Sequence, residues 1–200
     1  MNQRNFTIKS ECDGLDLDIT VFEPEDEIKG VFQISHGMAE HKERYYIGLN
    51  IAKFVEKVKG EKYRSKFIQK LAFGSYSSKK EKSKNSWICE NEETVNKYDK
   101  DELCGFIFTA NGFQNLFGLM IDIYNKNGWK LNNRNLPILF IAGSNDPVII
   151  NKAKWLESQY FLKTLGYNNI QNKLYSGMRH EILNEKESNL VYKDILEFIE

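Results

Sequence analysis

The chain has 200 residues, of which 41% are hydrophobic and 13% aromatic. That is enough apolar material for a packed core and too much for a disordered chain. Lys+Arg and Asp+Glu both number 28, so the formal net charge is zero. This argues against nucleic acid and anionic membrane surfaces as main partners, because both select a basic excess.

The first residues, Met1 to Phe6, contain no apolar stretch of the kind a signal peptide needs. The longest apolar run, Ile138 to Ala142, is far too short to span a bilayer. Cys12, Cys89 and Cys104 are odd in number, widely spaced and free of any Cys-x-x-Cys pair. Neither a disulfide framework nor a metal site is expected from them, no cofactor is implied, and a reducing cytoplasm is the simplest setting.

In chain order, Phe6 and Ile8 alternate with Thr7 and Lys9, and Asp13-Gly14 is a turn signal. Leu15, Leu17, Ile19 and Val21 then alternate with Asp16, Asp18 and Thr20. This pattern predicts a β-hairpin with one wet face. After the polar loop Glu23 to Glu27, the more continuously apolar Ile28 to Ile34 predicts a central strand. It runs into the turn Ser35-His36-Gly37-Met38-Ala39-Glu40-His41 and then a helix from Glu40 to Tyr46. A strand entering a sharp His-Gly turn before a helix can aim backbone N–H groups at a developing oxyanion.

Ile51, Phe54, Val55 and Val58 have helical spacing, with Gly60 placed to close the helix. Phe67, Ile68 and Leu71 predict a second helix, and Gly74 to Asn85 a polar loop. Trp87-Ile88 precedes an acidic run, Glu90 to Glu93, and Gly112 to Tyr124 is apolar at near-helical spacing. Residues 47–135 therefore read as a helical cap or lid.

Leu136 to Ala142 predicts a buried parallel strand, and Gly143-Ser144-Asn145-Asp146-Pro147-Val148 follows at its carboxyl end. Ligand and catalytic loops lie at that edge in open α/β sheets. A helix with Trp155, Leu156, Gln159 and Tyr160 on one side closes at Gly166. Ile170 to Tyr175 is the next strand, Ser176 to Glu181 the next loop, and Leu190, Val191, Ile195, Phe198 and Ile199 line a terminal helix. The sum is a βαβα unit whose loops carry Asp146 and His180.

The string Ser35 to His41 with Arg44 and Tyr45 resembles the oxyanion segment of the lysophospholipase and monoacylglycerol lipase family of α/β hydrolases, of the S33 serine aminopeptidase type. Gly143 to Val148 resembles that family's acid loop, and Gly177-x-x-His180-Glu181 its histidine loop. Lys59 to Phe67, Phe73 to Tyr76 and Leu103 to Thr109 are similar to its cap.

By this resemblance Asp146 orients His180, and His180 serves as general base and acid. The His36-Gly37-Met38 turn supplies one backbone oxyanion donor, from Met38, with Glu40, His41 and Arg44 supporting the motif. The implied substrate is a mono-acylated lipid, a small acyl ester or lysolipid, hydrolysed through an acyl-serine. The fold implied is an internally truncated α/β hydrolase: residues 1–46 and 136–200 as the two parts of the core, with the cap, 47–135, between them.

The nucleophile is the missing piece. Gly-x-Ser-x-Gly occurs nowhere. Ser35, Ser75, Ser144 and Ser176 lack the small residues on both sides that a strand-to-helix elbow demands. In the family three βα units stand between the oxyanion helix and the cap. At ~30 residues each they amount to about a hundred residues, and the join falls near Tyr46-Ile47-Gly48. The chain is accordingly expected to be a weak or inactive esterase, with a non-catalytic lipid- or protein-binding remnant as the alternative. Strands that lose their neighbours are expected to leave apolar edges open to self-association or peripheral lipid contact.

Overall fold

The computed structural model describes residues 2–10, 14–25, 42–76 and 80–200, with side chains in the first helix from residue 47 onward. The strand expected at Ile28 to Ile34 and the turn from Ser35 to His41 lie outside the described residues. The chain divides into two compact units, Met1–Gly37 and Met38–Glu200.

The first unit contains the expected hairpin, with β1 (Asn2–Lys9) antiparallel to β2 (Asp16–Glu23). Phe6 stands opposite Ile19 and Ile8 opposite Leu17, so the alternating apolar side chains share one face. Lys9 pairs with Asp16, and Arg4 with Glu23, across the strands. Phe6, Ile8 and Leu17 remain substantially exposed within the described residues.

The second unit begins with α1 (Lys42–Lys59), α2 (Lys66–Phe73), α3 (Glu92–Lys100) and α4 (Ala110–Ile123). α1 is one uninterrupted helix, and the join expected near Tyr46-Ile47-Gly48 falls inside it. No proline interrupts this stretch. Gly48, the one weak point, sits against the Phe117 ring of α4, so packing holds the helix together where propensity is poorest.

Ala52, Ile68, Phe113, Phe117 and Met120 form the core shared by α1, α2 and α4. Ser65 accepts a hydrogen bond from the Ile68 N–H and Thr109 from the Gly112 N–H, which fixes where α2 and α4 start. The acidic run reads differently in three dimensions. Asn91 caps α3 by accepting from the Glu93 N–H, and Glu92 and Glu93 fill its first turn. Carboxylates are favoured there because they oppose the positive end of the helix dipole.

The expected βαβα unit follows as β3 (Ile138–Gly143), α5 (Lys152–Leu165), β4 (Ile170–Tyr175) and α6 (Ser188–Ile199). β3 and β4 are parallel, in register from Ile138 opposite Ile170 to Gly143 opposite Tyr175. Gly166, at φ +105°, ends α5 in the left-handed region that favours glycine. Tyr175, Met178, Ile182 and Val191 pack α6 against the strand ends. Large apolar side chains stay uncovered on the helices, among them Phe54, Phe67 and Leu196. Among the described residues no helix is long and apolar enough to cross a membrane.

Candidate active site

The parallel pairing of β3 and β4 brings the loops after both strands to one edge. Gly143 makes their contact close: a Cβ there would stand 2.2 Å from the carbonyl oxygens of both Met178 and Arg179. The loops are then laced together. The Ser144 N–H donates to the Tyr175 carbonyl at 2.8 Å, and the Asn145 N–H to that of Met178 at 2.9 Å. The Gly177 N–H donates to Ser144 Oγ at 2.9 Å, and the Asn145 side-chain amide to the Gly177 carbonyl at 3.3 Å. Ser144 is thus committed to loop structure.

This lacing places Asp146 Oδ2 2.9 Å from His180 Nδ1, across 34 residues of sequence. Asp146 is buried, its side chain only 6% exposed. Its other oxygen accepts the Val148 N–H at 2.8 Å, as the cap of a single 3-10 turn, Pro147–Ile149. Beyond that turn the chain bends sharply. Ile150 has φ +61° and ψ −58°, and the Asn151 N–H donates to the Ile149 carbonyl at 2.6 Å. This is a γ-turn of the strained hand, rare for a β-branched residue. Asn151 then caps α5 through the Lys154 N–H. Strain of this kind persists only where surrounding structure fixes it, here between the acid loop and a capped helix.

A strap from the cap, residues 86–90, packs against the imidazole. The Trp87 ring lies 5.1 Å from that of His180, centroid to centroid, tilted by 44°. Tyr76 and Phe73 continue the aromatic file behind Trp87. The Glu181 N–H donates to the Ile88 carbonyl at 2.7 Å, so the strap is also bonded to the histidine loop. The side chain of His180 keeps 28% of its surface exposed.

Chemically, a carboxylate that accepts from Nδ1–H fixes the neutral imidazole in the tautomer whose Nε2 carries the lone pair. Such a histidine can take a proton from a hydroxyl at Nε2 and give it back to a leaving group. Among the described residues no cluster of His, Cys, Asp or Glu could hold a metal ion.

Of the residues singled out from sequence, the structure brings Asp146 and His180 together. His36, Gly37, Met38, Glu40 and His41 lie outside the described residues, and Arg44 is described only as backbone of α1. Sequence reasoning missed Trp87 and Glu185. No spacing rule links either to His180.

The family model for the serine aminopeptidase, S33 (Hydrolase_4) matches residues 46–187. Among solved structures, a highly thermostable carboxyl esterase from Bacillus coagulans, in complex with glycerol, superposes with a TM-score of 0.70 at 20% identity, covering 82% of this chain and 54% of that one. A lipase in its open form superposes with a TM-score of 0.64 at 19% identity, with the same coverage of each chain. At these identities the likeness shows the fold. The chain spans about half the length of these structures. Among curated protein sequences, none matches the chain.

Proposed function

The chain belongs to the S33 serine aminopeptidase family of α/β hydrolases, and from that premise we propose that Asp146 and His180 are the acid–base pair of a serine ester hydrolase acting on mono-acylated lipids. The observation that carries this reading is the 2.9 Å contact between His180 Nδ1 and the buried Asp146 carboxylate. In the reaction His180 Nε2 takes the proton of an attacking serine hydroxyl. Asp146 stabilises the imidazolium that forms, and the proton passes to the leaving alcohol. The Met38 N–H is assigned as one oxyanion donor.

These 200 residues contain no Gly-x-Ser-x-Gly, the elbow that holds the nucleophile in the family. Removing any member of such a triad leaves only residual binding and oxyanion effects. The chain alone is therefore a very weak esterase or none, with an acid–base pair inherited from a complete enzyme by internal deletion near Tyr46-Ile47-Gly48. The superposed esterase and lipase support ester chemistry as the ancestral one. The free thiols of Cys89 and Cys104 suit a cytoplasmic setting.

A second reading, a non-catalytic module that binds lipid, is favoured by the exposed apolar side chains of the cap: Phe54, Phe67, Leu103 and Phe106. One experiment separates the two. Intact mass is measured before and after a fluorophosphonate serine probe, beside a short-chain ester assay. No adduct and no turnover on a cooperatively melting protein is the expected result, and saturable fatty-acid binding to that protein would favour the binding module. A stoichiometric adduct with turnover would overturn the inactive assignment, and peptide mapping would name the serine.

A further inference from the structure

We propose that Glu185 is a positioning residue for His180, acting through backbone amides that tie the histidine loop to the strap carrying Trp87. The proposal deepens the reading of His180 as the general base and rests on it for its functional meaning.

Glu185 is buried, and beside the Cys89 thiol its carboxylate accepts from two backbone amides. Its Oε1 accepts the Arg179 N–H at 2.8 Å and the Glu90 N–H at 3.0 Å, and Oε2 also faces the Glu90 N–H at 3.2 Å. One oxygen thus joins the residue just before His180 to the strap, 95 residues away in sequence from Glu90 to Glu185. The residue just after His180 is tied to the same strap by the bond from the Glu181 N–H to the Ile88 carbonyl. Arg179 reinforces the first tie, since its guanidinium donates to the carboxylates of Glu81 and Glu90 and to the Ser86 carbonyl. Asn184 adds a third tie, its carbonyl accepting from the Thr94 hydroxyl.

The geometry requires such ties. A single hydrogen bond at Nδ1 leaves the side-chain torsions of His180 incompletely fixed. The tilted contact with the Trp87 ring restricts that freedom, but only while the strap is registered against the histidine loop. Catalytic groups need their orientation set by surrounding packing and hydrogen bonds. A buried carboxylate is costly to desolvate, and an apolar side chain would fill this space more cheaply. What it could not do is bridge the two amides.

The test uses the full chain and needs no turnover. The imidazole C–H proton resonances of His180 are assigned by their loss in His180→Gln, and Trp87→Leu gives their position without the indole ring current. Glu185→Ala is expected to move them most of the way to the Trp87→Leu position. Glu185→Gln keeps a carbonyl oxygen where both amides use one and is expected to stay close to the parent. Arg179→Leu, which removes the three guanidinium contacts, is expected to move them part of the way and serves should Glu185→Ala not fold. A folded Glu185→Ala or Arg179→Leu with a lower melting temperature but unmoved His180 resonances would overturn the proposal. The fluorophosphonate result is independent: the absence of an adduct, which is expected of this chain, neither produces nor prevents the shifts, and unmoved shifts would leave the Asp146–His180 pair itself untouched.

Discussion

The carbonyl oxygen of Met178 lies 2.2 Å from the point that a Cβ on Gly143 would occupy. The obstruction is backbone, so no rotamer change relieves it. Gly143→Ala is expected to push the histidine loop away from the acid loop, at a cost of about 1–3 kcal/mol, the usual range for overpacking. A urea titration measures the loss, and the His180 Nδ1–H resonance reports whether the bond to Asp146 survives.

The Asp146 carboxylate serves two donors, one on each oxygen: the Val148 N–H at 2.8 Å and His180 Nδ1 at 2.9 Å. Asparagine has one acceptor oxygen, so Asp146→Asn satisfies one donor and turns an NH2 group toward the other. Asp146→Ala loses both. Leaving a buried donor unpaired costs about 1–3 kcal/mol, so the urea midpoints are expected to fall in the order parent, Asp146→Asn, Asp146→Ala. Equal midpoints for all three would show that the pair contributes nothing to stability.

Much of this arrangement was legible in the sequence. The strand expected over Leu136 to Ala142, found as Ile138–Gly143, and the glycine stop at Gly166 read true, because a short apolar run and a glycine at a helix end are local signals. The acid and histidine loops were legible through their motifs, which the parallel pairing of β3 and β4 brings to one edge. α3 was not, because its first turn is acidic and polarity hid a capped helix start. Nor was the continuity of α1, since its support at Gly48 comes from Phe117 in a distant helix. The contacts of Trp87 with His180 and of Glu185 with the Glu90 amide join segments more than 90 residues apart. Periodicity carries no information at that range.

Phe113 is fully buried between α1, α2 and α4, whereas Phe67 on α2 is 64% exposed. Phe113→Ala is expected to cost about 3–5 kcal/mol, the loss of transfer energy plus a cavity. Phe67→Ser is expected to change stability by no more than about 0.5 kcal/mol. Chemical denaturation checks both. Size-exclusion chromatography of Phe67→Ser tests self-association as well: a shift toward monomer would place that face in the contact.

Cys89 is buried within the strap, its thiol donating to the Asn184 carbonyl. Burial, aided by the carboxylate of Glu185, pushes its pKa from the ordinary 9.0 up to about 11. The thiolate is the reactive form, so iodoacetamide at pH 8 should spare Cys89 in the folded protein and label it in urea, as peptide mapping would show. The same shift sets a pH dependence. Between about 9 and 11 the unfolded chain has released this proton while the folded chain retains it. The stability contributed by the neutral thiol is therefore complete below pH 9 and is lost as pH rises toward 11. Cys89→Ala should flatten that part of the curve, so its melting temperature should fall less than the parent's between pH 8.5 and 10.5, about the span in which the two states differ in protonation. Parallel curves would mean that the thiol ionises alike in both states, and that the seal between the strap and the histidine loop admits water.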